Sequence, residues 1–413
     1  MKDKSNESEP VTINLTDCLA CSGCITSAET ILVTEQSHSK LLEAIDSGAF
    51  KEISVSVAPQ SVAALASRFK LGYTTTWRKL CTFLRRTLGV SRIVDIAEAR
   101  SITLECLADE FFRLRQTDAD LPLIVSACPG WVCYAEKRYP DFLPHLSRTR
   151  SPQQMAGTLV KHFWPQATTT SNGELAPSDI FHCAIMPCFD KKLEASREEF
   201  LADVLTGTRE VDTVITTSEL LEIFKEKQVD FGQIEEDSMA LEPWRPEGSG
   251  SGGYLEYVLA KAIAASNQPG NLVVLPGKNS DITEYHYVCS LTGNVLLRFA
   301  AITGFRNIQT FVIKQRKATA VKYDFVEIMA CPGGCLNGGG QPKPETSNSN
   351  SRQASKEQLV DFNRVYAEIP TSSSISPVAS QLLSWIKEDP DCRQRLLTTT
   401  FRAIEENPAL KKK

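Results

Sequence analysis

At 413 residues the chain is longer than one hydrophobic core usually organises, so two or three lobes with room to bury cofactors are expected. Its 42% hydrophobic and 23% charged residues are ordinary for soluble globular domains, and no apolar run approaches the roughly 18 residues of a membrane span. A net charge of -5 speaks against a nucleic-acid-binding surface. Residues 1–10 are polar and mixed in charge, with neither the apolar core of a secretory signal nor the Arg-rich pattern of a mitochondrial one, so a cytosolic or nuclear home is expected. The cysteine run Cys18, Cys21 and Cys24 follows, then a short apolar stretch ending at Val33. From Glu52 the pattern becomes strand, turn, helix: residues 53–57 alternate with period two, Pro59 breaks them, and residues 61–69 carry helical spacing. Residues 121–125, 181–185, 211–215 and 325–329 read as further short buried strands, most of them followed by a helical stretch. An α/β design with largely parallel sheets is expected. Residues 166–179, the Gly/Ser-rich 248–253 and residues 341–355 read as surface loops. Helical segments at 357–368 and 377–406 close the chain, and the final lysines, Lys411 to Lys413, read as a solvated end. The expected division is a cluster-binding segment 1–50, a large α/β domain 51–345, and a linker with a helical tail 346–413.

Thirteen cysteines in a reducing compartment point to metal binding wherever they gather. Cys81, Cys106, Cys133, Cys183, Cys289 and Cys392 lie mostly in apolar or helical context and read as structural. Three strand-like segments instead end directly at a cysteine: Ser126-Ala-Cys128-Pro-Gly-Trp131, Met186-Pro-Cys188, and Met329-Ala-Cys331-Pro-Gly-Gly-Cys335. Ligands of open α/β sheets bind at the carboxyl ends of strands, so these cysteines can meet from distant positions. Four thiolates suit a cubane, and soft thiolates select iron–sulfur clusters or zinc. Glycines around Cys331 and Cys335 allow close backbone approach, and Pro129, Pro187 and Pro332 fix the adjoining turns. The competing reading leaves Cys128 and Cys188 as core thiols and only Cys331 and Cys335 as ligands. The run Cys18-x-x-Cys21-x-x-Cys24 has ferredoxin spacing, in which a remote cysteine takes the fourth corner. Zinc is its main rival, although zinc motifs usually pair two C-x-x-C elements or add His.

Ala127-Cys128-Pro-Gly-Trp131, Met186-Pro-Cys188-Phe-Asp-Lys191 and Glu327-Ile-Met-Ala-Cys331-Pro-Gly-Gly-Cys335 resemble the three signature motifs of iron-only hydrogenases, in their order. Ala58-Pro59, Ser151-Pro-Gln-Gln154, the Gly252-Gly253 pair and Thr303-Gly-Phe-Arg-Asn307 extend the resemblance, which covers nearly the whole chain from Asp17. The N-terminal cysteine run and Lys191-Lys-Leu-Glu-Ala-Ser196 are most similar to the eukaryotic hydrogenase-like branch. That branch holds the cytosolic iron–sulfur assembly (Nar) family and the prelamin-A recognition factor. The resemblance implies an iron-only hydrogenase-like large-subunit fold of two parallel-sheet lobes, with a ferredoxin-like N-terminal segment and a helical, small-subunit-like C-terminal tail. It implies that Cys128, Cys188, Cys331 and Cys335 hold a buried 4Fe–4S cluster. In hydrogenases the counterpart of Cys335 also bridges to a two-iron subsite, which Met186 and Lys191 would line. The alternative for Lys191 is a solvated lysine at a helix start.

One departure bears on function: the residue before Cys128 is a second, proton-shuttling cysteine in catalytic hydrogenases and Ala127 here, and alanine relays no proton. A second concerns the N-terminal cluster, whose fourth ligand in the assembly-factor family is a cysteine upstream of the run; residues 1–17 contain none. Either a segment is missing, the cluster is incomplete and labile, or a distant cysteine substitutes. A third is the ending Pro408-Ala-Leu-Lys-Lys-Lys413, where family members commonly finish with an aromatic residue that docks onto the targeting machinery, so weaker recruitment is expected. The resemblance implies a non-catalytic protein with two 4Fe–4S clusters, the N-terminal one exchangeable and the buried one structural. It would mediate between the cytosolic cluster-building scaffold and the targeting complex that serves apo iron–sulfur client proteins. Its partners would include a WD40-repeat protein and a HEAT-repeat adaptor, with no nucleic acid and no membrane. The alternatives are a nuclear interaction protein like the prelamin-A recognition factor, or reversible proton reduction at a complete six-iron site.

Overall fold

The computed structural model describes residues 27–117, 122–167, 175–277, 281–317, 319–344, 351–372 and 374–404. Cys18, Cys21, Cys24 and the closing lysines lie outside the described residues, as do residues 168–174 of the expected loop 166–179 and residues 345–350. Nine strands of the described residues form two sheets: β1 (Glu52–Val57), β2 (Arg92–Asp95), β3 (Leu123–Val125), β4 (Ile180–Met186), β5 (Thr213–Thr216), β6 (Gly270–Pro276), β7 (Ile282–Cys289), β8 (Val295–Thr303) and β9 (Phe325–Met329). The first sheet runs β2-β1-β4-β5 and every pairing in it is parallel. The second runs β3-β9-β8-β7-β6; β3, β9 and β8 are parallel, and the hairpin of β7 and β6 adds an antiparallel edge.

Local chemistry sets these boundaries. Pro59 occupies the first turn of the helix Pro59–Phe69, where its missing N–H costs nothing, so β1 ends at Val57 and the chain turns over the sheet. The Asp95 carboxylate caps the helix Ile96–Gln116 by accepting from the Ala97 N–H at 2.8 Å. That helix serves both lobes. Ile96 packs with Ala184 and Val214 of the first sheet, while Leu104, Leu107 and Phe111 pack with Phe299 and Phe325 of the second. The Phe111, Phe299 and Phe325 rings lie 5.0 to 6.0 Å apart, and such pairs add about 0.5–1.5 kcal/mol each beyond simple burial.

The segment after residue 350 is built into these cores. Phe362, Val365 and Tyr366 of the helix Ser351–Ala367 pack with Val62, Leu65 and Tyr73. Ala379, Leu382 and Ile386 of the helix Pro377–Glu388 pack with Ala99, Ile102 and Met155. Two loop expectations need correction. Residues 351–355 are helical, because Ser351–Ala367 starts earlier than its polar composition suggests. Residues 251–253 are buried rather than on the surface, because Ser251 turns inward and its Oγ accepts from the backbone N–H of Cys335. No helix of the described residues is long and apolar enough to cross a membrane.

Candidate metal centre

Because β1, β2, β3, β4 and β9 belong to parallel pairings, their carboxyl ends open toward one crevice, the usual ligand position in such sheets. There a cavity of about 50 Å³ is lined by Cys128, Cys188, Cys331 and Cys335 together. Ala127, Met186, Met329 and Ala330 supply apolar wall, and Arg100, Gln153, Lys191, Ser251 and Tyr254 bring polar groups to it.

The backbone at each of the three strand ends is held by its own local device. Past β3, the Ser126 hydroxyl donates to the Ile328 carbonyl at 2.6 Å and accepts from the Cys128 N–H at 3.2 Å. Cys128 then serves as N-cap of the helix Pro129–Arg138, its carbonyl accepting from Trp131 and Val132. Gly130 leaves room for Asp190: a Cβ there would stand 2.5 Å from Asp190 Oδ2 and displace that carboxyl. Past β4, Pro187 leads into Cys188, and the Pro187 carbonyl accepts from the Gly340 N–H at 2.9 Å. The glycine-rich tail is thereby clamped beside the second ligand position. Past β9, the backbone turns through Gly333 and Gly334, both at positive φ, before Cys335 opens a short 3-10 turn. The Cys335 N–H donates to Ser251 Oγ at 3.1 Å.

In this setting burial disfavours every thiolate. It pushes the Cys128 thiol up to about 12 and raises Cys188 and Cys331 well above the ordinary range, and the mutual repulsion of neighbouring thiolates and of Asp190 adds to the effect. Cys335 is raised as well, again by burial first, with Ser251 and the Lys191 and Arg100 charges opposing the shift. A coordinating metal reverses that balance, since its charge deprotonates a thiol outright. Asp190 is buried with Oδ1 lacking a hydrogen-bond partner among the described residues, and burial lifts its carboxyl to about 7.

The sequence-derived residues fall as follows. Met186 and Lys191 both line the cavity. Lys191 is not a solvated lysine: its ammonium pairs with Glu194 at 2.7 Å and with Ser151 Oγ at 3.2 Å, and its side chain is 8% exposed. Cys81, Cys183 and Cys289 are buried away from the cavity, and Cys106 and Cys133 are half-buried. Sequence reasoning gave no role to Arg100, Ser251 or Tyr254. None carried a signal: Arg100 sits in Ala97-Glu-Ala-Arg-Ser-Ile-Thr-Leu104, where Glu98, Ser101 and Thr103 make one more polar residue unremarkable.

A hydrogenase-like scaffold is thus in place on geometric grounds, and comparison with solved structures agrees. An FeFe-hydrogenase from Chlamydomonas reinhardtii superposes with a TM-score of 0.70 at 27% sequence identity, over 89% of this chain and 99% of that one. The sequence model described as "Iron only hydrogenase large subunit, C-terminal domain" matches residues 51–339. The chain is 40% identical to rat "Cytosolic iron-sulfur assembly component 3" over 97% of this chain and 86% of that one. It is 42% identical to zebrafish (Danio rerio) "Cytosolic Fe-S cluster assembly factor narfl" over 93% and 96%. The chain belongs to the iron-only hydrogenase large-subunit family, in its branch of cytosolic iron–sulfur assembly factors.

Proposed function

We propose that the chain is a non-catalytic iron–sulfur protein of the cytosolic machinery that matures cytosolic and nuclear iron–sulfur proteins. The observation that carries this reading is the convergence of four cysteines from three strand ends on one cavity whose wall has alanine at position 127. Cys128, Cys188, Cys331 and Cys335 would each hold one corner of a 4Fe–4S cluster, and Cys18, Cys21 and Cys24 three corners of a second. A cubane bound in the cavity would supply a one-electron redox centre. The chain's own residues position and insulate it: Ser251 orients Cys335, Ser126 orients Cys128, and Met186 and Met329 keep water from the thiols. Ala127 offers no group to move a proton at the cavity wall, which supports a role other than hydrogen turnover. The names of the relatives support assembly work in the cytosol. Partners on this reading would be a WD40-repeat protein, a HEAT-repeat adaptor, a cluster-building scaffold and apo client proteins.

The test is iron and acid-labile sulfide per chain after anaerobic reconstitution, with an electron paramagnetic resonance spectrum. About eight irons are expected, falling to about four in Cys18→Ala and to about four in Cys128→Ala, with no hydrogen evolved from reduced viologen. In cells, replacing the protein with the Cys128→Ala form should lower cytosolic iron–sulfur enzyme activity and spare the mitochondrial enzymes. Full iron in Cys128→Ala would refute the buried site; hydrogen evolution, or equal loss in both compartments, would refute the assembly role.

A further inference from the structure

Two cations line the cysteine cavity, and they are neutralised differently. Lys191 is paired with Glu194. Arg100 is 3% exposed, and its guanidinium donates to neutral oxygens: the Tyr366 hydroxyl at 3.2 Å and, at a long 3.5 Å, Gln60 Oε1. Its Nε is buried with no partner among the described residues. Removing a guanidinium from water costs several kcal/mol unless an opposite charge or a full set of acceptors replaces the solvent. Two acidic groups act on Arg100 electrostatically, Asp95 and Glu327, but burial lifts both, Asp95 to about 7, so neither supplies a full counter-charge near neutrality. The protein therefore buries a cation at the cavity wall with its charge incompletely balanced and one N–H unused.

We infer that Arg100 is the charge partner of the group held by the four cysteines, a positioning residue that stabilises the reduced cluster. This rests on the proposal that Cys128, Cys188, Cys331 and Cys335 carry a cubane. A cubane held by four thiolates is a polyanion, and one-electron reduction adds a further negative charge while its ligands stay in place. A fixed cation in a water-poor wall favours the more negative state, because the low local dielectric leaves the attraction unscreened. Ionised Asp or Glu in the same wall would have the opposite effect. The guanidinium is also pre-set by the Tyr366 and Gln60 contacts, so little reorganisation accompanies the electron.

The experiment is a spectroelectrochemical titration of the reconstituted full-length protein, with electrons supplied by the electrode through a viologen mediator, following the paramagnetic signal that Cys128→Ala abolishes. At a fixed potential Arg100→Gln should lower the ratio of reduced to oxidised cluster about tenfold, equivalent to about 59 mV for a one-electron couple. Arg100→Lys, which keeps the charge, should stay within about threefold of wild type, and Tyr366→Phe, which removes only the hydrogen bond, should leave the ratio unchanged. An Arg100→Gln protein with wild-type iron and a ratio within twofold of wild type would overturn the inference. If Arg100→Gln holds no cluster, Arg100→Lys decides: retained iron and ratio support a charge partner, and loss there too overturns it in favour of packing. If no signal depends on Cys128, the buried-cluster reading has failed instead.

Discussion

Gly338 offers the sharpest test of how the cavity is held. Its backbone is extended, at φ -62 and ψ 146, so alanine meets no conformational penalty there, only a spatial one. A Cβ would clash with the Pro187 carbonyl oxygen, stand 2.9 Å from the Pro187 carbonyl carbon and 3.2 Å from the Cys335 oxygen. All three are backbone atoms and cannot swing aside. Restoring an ordinary carbon–carbon separation of about 3.5 Å parts the two segments by at least about 0.6 Å. It also strains the bond from the Gly340 N–H to the Pro187 carbonyl. Overpacking of this kind costs about 1–3 kcal/mol and a weakened buried hydrogen bond about 1 kcal/mol more, so Gly338→Ala should lose about 2–4 kcal/mol. Pro187 adjoins Cys188, and Gly338 lies in the turn begun by Cys335, so the displacement passes directly into the spacing of two thiols. Urea unfolding of the metal-free chain measures the first effect, and iron per chain after reconstitution the second. Gly207→Ala is the control: Gly207 has φ +69 and nothing within 4 Å of an added Cβ, so alanine there costs about 1 kcal/mol of backbone strain and no iron. The reasoning fails if Gly338→Ala loads iron fully and is no less stable than Gly207→Ala.

Two further outcomes follow from buried charge. His182 lies in β4 with Nδ1–H donating to the Glu210 carbonyl at 2.8 Å and Nε2 accepting from Ser56 Oγ at 3.0 Å; burial depresses it from 6.5 to about 4, with Lys161 also lowering it and Asp212 and Glu210 opposing. The unfolded chain takes up this proton first, so stability is whole above about pH 6.5 and falls by about 3 kcal/mol as pH drops toward 4; His182→Gln should flatten that part of the stability–pH curve, and an unchanged slope would count against it. Lys191→Met strands the Glu194 carboxylate, 10% exposed, and should cost about 3–5 kcal/mol in urea unfolding of the metal-free chain. Adding Glu194→Gln should recover most of that loss, and additive losses would show that the two charges are not coupled.

The strands legible in the sequence were short buried runs in the parallel parts of the two sheets. Residues 325–329 coincide with β9, and 53–57 and 181–185 fall one residue inside β1 and β4 at one or both ends, because a short buried run stopped by Pro or Ser is a local signal. The hairpin of β6 and β7 went unread for the same reason in reverse. Leu272, Val273, Val274 and Leu275 form a continuous apolar run that is exposed on both faces of an edge strand, so no alternation marks it. The cysteines announced themselves through residue type, whereas Ser251 sits in a Gly/Ser stretch with the composition of a solvent loop. It is buried because Gly334, at positive φ and without a side chain, lets the Cys335 turn close onto it. Arg100 is 28 residues before Cys128 in sequence (128 minus 100) and comes to the cavity only once both sheets have formed around its helix.

On the proposed reading, the geometry around Cys128 separates holding a cluster from moving protons at the cavity wall. The contacts that fix Cys128 run through Ser126, the Ile328 carbonyl and the first turn of the helix Pro129–Arg138, and none involves the side chain at 127. A thiol or a methyl group there leaves the four ligand positions as they are. The pairing of β3 with β9 reinforces this independence, because Leu123, Ile124 and Val125 are registered against Phe325, Val326 and Glu327. On the proposed reading, ligation is therefore written into strand ends, caps and glycines spread over more than two hundred residues, from Cys128 to Cys335. On the same reading, position 127 can lack a proton-bearing side chain without loosening the contacts that hold Cys128.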